Sequence, residues 1–236
     1  MSLVSLLGAC AVDSDLDGDP TDLDVTATPK LATNALMPAY VWQAQPTFNP
    51  AKLDAANLGA MAQTDEGRVS LVYLVGCALN AGHNVSTTVG GVSYTFAGAV
   101  GVADTWTSSA LSLGAQRWVS ACVLARLNET GQQITISLRG SSTSLGLSGT
   151  EGSLYDEQEG AFFGNVFPGR DFYVASCRGT GAIHWSRTCA TATGNCGMEW
   201  RGECANVCSS SGGNMTACVG SNGTTYGEPI TTYLDL

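Results

Sequence analysis

The chain has 236 residues and a formal net charge of −10, with 20 Asp and Glu against 10 Lys and Arg. That balance excludes a nucleic-acid partner, because a phosphate backbone has to be met by clustered cations. With 13% charged residues and 29 glycines, the composition describes a loop-rich, β-rich protein rather than a helical one, and the length suffices for one full hydrophobic core.

In chain order, Leu7-Gly8-Ala9-Cys10 has the form of a bacterial lipobox, in which small residues precede a cysteine that receives diacylglycerol and becomes the mature N-terminus. Residues 1–9 then read as the remnant of a lipoprotein signal, although Met1 to Leu7 lacks the basic residues and the apolar length of a full one. Ala11, rather than Asp, after the cysteine directs the expectation to the outer membrane or cell surface. The plain alternative for Cys10 is an ordinary thiol or cystine near a chain end. Asp13, Asp15 and Asp17, followed by Gly18 and with Asp24 in the twelfth place, match the spacing of an EF-hand calcium loop. Pro20 stands where that loop needs an apolar residue, and no amphipathic helix flanks it, so the run reads first as a solvated acidic tether and only second as a calcium site.

Nine cysteines occur, at 10, 77, 122, 177, 189, 196, 204, 208 and 218. Setting Cys10 aside as the lipid carrier leaves eight, enough for four disulfides, and this parity supports the lipobox independently. Cys77 and Cys122 lie in apolar helix-like segments far from the other six, so parity has them pair together or both cross into that cluster; the expectation is the Cys77–Cys122 bridge, with two buried free thiols as the plain alternative. The pairing of Cys177, Cys189, Cys196, Cys204, Cys208 and Cys218 stays open. Zinc on Cys189, Cys196, Cys204 and Cys208 is the competing reading, weakened by the absence of any C-x-x-C pair.

Pro29, Pro38, Pro46 and Pro50 deny long helices to residues 25–60, which read as an arm laying Tyr40, Trp42 and Phe48 on the domain. A short helix from Pro50, capped by Asn49, would turn Leu53 and Leu58 inward. Thr64 caps a helix with Asp65 and Glu66 in its first turn and Leu71, Leu74, Val75 and Ala78 at helical spacing. Gly90-Gly91 then joins two alternating runs as a hairpin, setting Val85 against Phe96 and Thr87 against Tyr94 on a face expected to floor the core. A second helix is expected from Leu113 to Asn128, with Trp118, Ala121, Cys122 and Ala125 inward and Arg117 and Arg126 toward solvent. Ile134, Ile136 and Leu138 alternate as a strand, and two more strands flank Pro168-Gly169. The fold class is α+β: two helices on a mainly antiparallel sheet, followed by a disulfide-rich, loop-rich C-terminal extension. The expected organisation is 10–60 tether and arm, 61–176 core and 177–236 stapled region.

The motifs of common hydrolase and nucleotide sites (G-x-S-x-G, H-E-x-x-H, G-x-G-x-x-G and a phosphate loop) are absent. Glu157 and Glu159 alternate before a strand, so extended backbone would point both one way, and with His184 they form the catalytic candidates for an envelope hydrolase acting on glycan. The plainer reading is a hydrated acidic loop entering the strand, since no pattern fixes a second catalytic element. Trp185 and Trp200, with Tyr226 and Tyr233, offer flat rings for a glycan or protein partner, or cover the disulfides in a small core. Sequons at Asn84, Asn128, Asn214 and Asn222 read as chance in a Ser- and Thr-rich chain.

The blocks "LVYLVGCALNAG", "VSYTFAGAVGVADTW", "RWVSACVLARLN", "ITISLRG" and "EGAFFGNVF" resemble a group of exported proteins and lipoproteins of myxobacteria and related bacteria, over roughly residues 65–236. The resemblance implies a cell-envelope location and the same order of elements, with no assigned activity, catalytic residue or cofactor. The expectation is a lipid-anchored envelope protein that binds or displays, with the glycan hydrolase as alternative and an assembly subunit clasping a neighbour through residues 25–60 as a third reading.

Overall fold

The computed structural model describes residues 31–34, 36–130, 133–181 and 197–235. The protein is α+β. Its elements are strand β1 (Leu31–Asn34), helices α1 (Pro38–Ala44), α2 (Ala55–Met61) and α3 (Asp65–Ala78), the hairpin β2 (Asn84–Val89) and β3 (Val92–Ala97), helix α4 (Leu113–Ala125), strand β4 (Ile134–Arg139) and a single turn α5 (Glu151–Leu154). Strands β5 (Glu157–Asn165), β6 (Tyr173–Arg178) and β7 (Glu199–Glu203) follow, then the turn α6 (Cys204–Val207) and strands β8 (Cys208–Ser211), β9 (Asn214–Val219), β10 (Thr225–Tyr226) and β11 (Ile230–Leu234).

The six-stranded sheet runs β1-β4-β11-β5-β6-β7, antiparallel throughout except for the parallel β6–β7 pair. Alternation along its strands sorts two faces. Ile136, Leu138, Phe162, Val174, Ile230 and Leu234 enter the main core under the helices. Ala161, Phe163, Ala175 and Cys177 enter a second, smaller core under the three-stranded sheet β10-β9-β8. Helix α4 lies on β5 and β11, α3 packs on α4, and α1 and the hairpin pack on α3. Contiguous runs of α3 and α4 are therefore buried, Leu74 to Ala78 and Val119 to Ala125. A helix enclosed on all sides is apolar all round.

The helix starts follow local chemistry. Thr64 caps α3, its hydroxyl accepting from the Gly67 N–H at 3.1 Å. In the arm, Pro38 opens α1 at a position where the missing N–H costs nothing. The next helix starts at Ala55, capped by Asp54 rather than Asn49; Leu58 on it and Leu53 just before its cap are both buried. The far end of α3 is finished by tertiary contacts. Its carbonyls at Gly76, Cys77 and Ala78 accept N–H groups from residues 99–103, the groups a helix C-terminus leaves orphaned. Gly101, at φ +83°, makes that approach feasible, because a Cβ there would overlap the Asn80 side chain.

Three expectations are corrected. The hairpin keeps its expected register but forms a separate two-stranded ribbon on α2 and α3, so the floor of the core is the six-stranded sheet. Arg126 is 2% exposed. Its guanidinium lies 4.4 Å from the Tyr73 ring centroid, and burial works against its charge. Arg117 is largely covered, stacked 4.8 Å over the Tyr226 ring. Neither side chain points freely to solvent, because the second half of α4 is buried and each arginine finds an aromatic face. The sequence division at residues 60 and 177 also separates what the sheet joins, since β1, β7 and β11 all belong to it.

Among the described residues three disulfides form: Cys77–Cys122, the expected bridge between α3 and α4, then Cys177–Cys204 and Cys208–Cys218. Such bonds persist in an oxidising, exported compartment. No helix among the described residues is long and apolar enough to cross a membrane.

Helix α4 is locked to the sheet by Ser120. Its hydroxyl donates to the Gln116 carbonyl at 2.6 Å and accepts from the Val166 N–H at 2.9 Å. Ser120→Ala leaves that buried N–H unpaired and is expected to lower the unfolding free energy by about 1–3 kcal/mol in urea titration. Removing the Cys77–Cys122 bridge, which closes a separation of 45 residues, is expected to cost about 4 kcal/mol by the same measurement. A change in either variant no larger than that of an ordinary surface substitution contradicts its structural role.

Candidate functional site

The outer face of the large sheet and the stapled layer enclose a cavity of about 360 Å³, lined by Gln158, Arg178, Glu203, Cys204, Cys208 and Ser210 among others. Each wall has a local cause. Arg178 ends β6, and the parallel pairing of β6 with β7 sets it opposite Glu203, the two side chains 3.9 Å apart and half-exposed. Such a pair contributes little to stability and leaves both charges available to a polar ligand.

Gln158 sits at an irregularity in β5. The pairing with β11 steps from Thr232↔Gly160 to Tyr233↔Gln158, which makes Glu159 the extra residue of a bulge. The Gln158 amide donates to the Gly213 carbonyl at 2.6 Å and to the Tyr233 hydroxyl at 3.2 Å, and its oxygen accepts from the Thr180 N–H at 3.1 Å. This side chain ties the large sheet to the β8–β9 turn. Beside it, Arg139 stacks 3.7 Å over the Tyr233 ring and donates to Ser137, whose hydroxyl donates to Glu151 at 2.8 Å.

Two cysteines line the cavity, Cys204 and Cys208, and each is bonded to a buried cysteine, Cys177 and Cys218 respectively. Cys177 lies on β6, Cys204 opens α6, and Cys208 and Cys218 face each other across β8 and β9. Cys177 Sγ is 3.6 Å from Cys208 Sγ, so the two disulfides are in contact. Cys177, Cys208 and Cys218 have the spacing of a metal site, yet each is disulfide-bonded, and the thiolate is the metal ligand. Cys204 and Cys208, grouped in the zinc reading, belong to different disulfides.

The expected site residues are dispersed. Glu159 is 6% exposed and accepts from the Thr232 hydroxyl at 2.7 Å inside the sheet, while Glu157 is half-buried at the start of β5. The bulge interrupts the regular alternation on which their shared direction was expected. Trp200 is 39% exposed on β7. Tyr226 and Tyr233 are core residues, Tyr226 stacking on Tyr173 at 5.3 Å. Cys10, Asp13, Asp15, Asp17, Asp24, His184, Trp185, Cys189 and Cys196 lie outside the described residues. Two sequon asparagines close turns with their side chains, Asn128 accepting from the Thr130 N–H and Asn222 from the Thr224 N–H.

Two polar clusters lie outside the cavity lining. His83 Nδ1 is 2.7 Å from Asp104 Oδ1, which also accepts the Asn80 N–H. Burial works to raise the Asp104 pKa, but the hydrogen bonds from Asn80 and His83, with the His83 charge, outweigh it and hold the carboxyl below its ordinary value. Glu199 accepts from Ser221 at 2.6 Å and from Arg201 at 2.9 Å. Burial again works upward, and hydrogen bonds from Ser221, Tyr173 and Arg201 hold Glu199 low. Burial pushes the Tyr173 phenol up.

Gln158, Arg178 and Glu203 were not singled out by sequence reasoning. Nothing local marks them, because a parallel pairing and a bulge bring them together. Comparison with protein-family models, curated proteins and solved structures finds no match.

A carboxyl whose folded pKa is depressed stabilises the fold above its unfolded pKa, and that stabilisation is lost as pH falls through the folded value. Asp104→Asn and Glu199→Gln are therefore expected to be less stable than the parent at neutral pH and to converge with it in acid, below the ordinary carboxyl range. Thermal melts followed from neutral pH down to about pH 3 read this, and a deficit that persists unchanged into acid rejects the assignment.

Proposed function

We propose that this protein is a lipid-anchored envelope protein, held at an outer membrane or cell surface by diacylglycerol on Cys10, whose stapled head acts by binding or structural display. The observation that carries the reading is the pairing of cysteines. Six of the eight beyond Cys10 are already matched in three disulfides, and none of the six is bonded to Cys10. Three cysteines lie outside these bridges, Cys10, Cys189 and Cys196, and in this reading Cys189 pairs with Cys196 and the odd sulfur is the lipobox Cys10. A two-chain lipid is what stable anchoring needs, since one acyl chain gives only marginal, reversible attachment.

Binding is favoured over hydrolysis by the state of the carboxylates. A glycosidase needs an acid and a base or nucleophile flanking an open substrate path. Glu159 is instead held in the sheet interior by Thr232, and the exposed charges of the cavity are a cation and an anion, Arg178 and Glu203. The ligand class these favour is a small polar group or a loop of a glycan or protein partner, with Trp200 exposed on β7 as an aromatic contact.

Intact-mass analysis of protein recovered from its native membrane tests the anchor and the framework together. The expected result is an N-terminal peptide carrying diacylglycerol on Cys10, with the cysteines from Cys77 to Cys218 inert to alkylation under denaturation until reduced. A bare Cys10, or thiols that alkylate without reduction, overturns the proposal.

A further inference from the structure

The contact between two disulfides has a chemistry of its own. Cys177 Sγ, bonded to Cys204, lies 3.6 Å from Cys208 Sγ, bonded to Cys218. The sulfurs of Cys177, Cys208 and Cys218 all lie within 4.8 Å of one another. Thiol–disulfide exchange proceeds by attack of a thiolate on a neighbouring disulfide sulfur, so its rate depends on contact and on access. Contact is already made. Access differs among the four: Cys177, Cys204 and Cys218 are buried, whereas Cys208 is only partly covered and reaches the cavity together with Cys204. A reductant entering from solvent thus meets the Cys208–Cys218 bond at its exposed sulfur.

We propose that this stack is a thiol–disulfide exchange site, in which a dithiol entering the cavity opens Cys208–Cys218 and the Cys208 thiolate then attacks Cys177 and displaces Cys204. In the first step the dithiol's two sulfurs join as a disulfide, the Cys208–Cys218 bond breaks, and the two protons pass to Cys208 and Cys218. In the second, Cys208 loses its proton and bonds to Cys177. The Cys177–Cys204 bond breaks with its electron pair on Cys204, which takes up a proton. One disulfide and two thiols stand on each side of this second step, so it needs no oxidant. The free thiols end at Cys204 and Cys218. Cys204 then faces the cavity that also holds the Arg178 guanidinium, a cation that favours the thiolate. The β8–β9 staple is replaced by a bond from β6 to β8, joining the large sheet directly to the outer layer.

Mapping of partial reduction on the full-length protein tests this. One equivalent of dithiothreitol is added, the sample is quenched in acid and alkylated, and the peptides are mapped without further reduction. The expected product is a Cys177–Cys208 peptide that rises as the Cys208–Cys218 peptide falls, with alkyl label on Cys204 and Cys218. Label confined to Cys208 and Cys218 with Cys177–Cys204 retained overturns the proposal, and so does a new bond from Cys208 to any other cysteine. Cys218→Ser supplies a second arm without reductant: its label is expected to move from Cys208 to Cys204, and a variant alkylated at Cys208 alone rejects the exchange. Should that variant not fold, the native protein decides.

Discussion

Strand β11 is hydrogen-bonded on both sides, to β4 through Thr231↔Arg139 and Thr232↔Leu138 and to β5 through Ile230↔Phe162 and Thr231↔Ala161, and all five of its residues are buried. Until residues 230–234 arrive, β4 and β5 have no partner between them, and the main core under α4 lacks Ile230 and Leu234 from its floor. The sheet is therefore built from pairings between strands far apart in the chain, β1 at one edge and β11 inside. Loop closure of such spans must precede its reward, the arrangement that makes folding slow and cooperative.

That insertion also decides what the cysteine-rich segment is. Entering by β7 and leaving by β11, it is attached to the large sheet on both sides and folds back over the outer face as a three-stranded layer. Few large aliphatics lie under it. Phe163, Met215 and Tyr226 share that small core with Cys177, Cys204 and Cys218, and bridges worth roughly 2–4 kcal/mol each supply what so little apolar burial does not. Toward β4 the same face changes character, and Arg139, Tyr233, Ser137, Glu151 and Gln158 form a satisfied polar network instead. Such networks fix one register because leaving any member unpaired is costly. The cavity lies over this face, with Cys204 and Cys208 in its lining and the Arg178–Glu203 pair at its half-exposed side.

Much of the fold is legible in the residues. The Thr64 cap, the Gly90-Gly91 hairpin with its register and the strand through Ile134, Ile136 and Leu138 follow from local spacing, and the Cys77–Cys122 bridge follows from the isolation of those two cysteines from the other six. The candidate site was far less so. Glu157 and Glu159 read as an alternating pair, but a bulge set by pairing with β11 determines where Glu159 goes. Arg117 and Arg126 carry charges that read as solvent-facing. The other elements around α4 cover both, and Tyr226 and Tyr233, read as spare aromatics, supply rings for Arg117 and Arg139.

The sequence by itself determined the elements whose cause lies within a few residues, together with the oxidising framework announced by its cysteine count. Periodicity, caps and turns act over one helical turn or one hairpin and need no distant partner. Only the tertiary structure decided that β11 enters between β4 and β5, that two disulfides come into contact, and that Arg178 faces Glu203. Those outcomes depend on which surfaces remain unpaired once the local elements exist, and chain order carries no record of that.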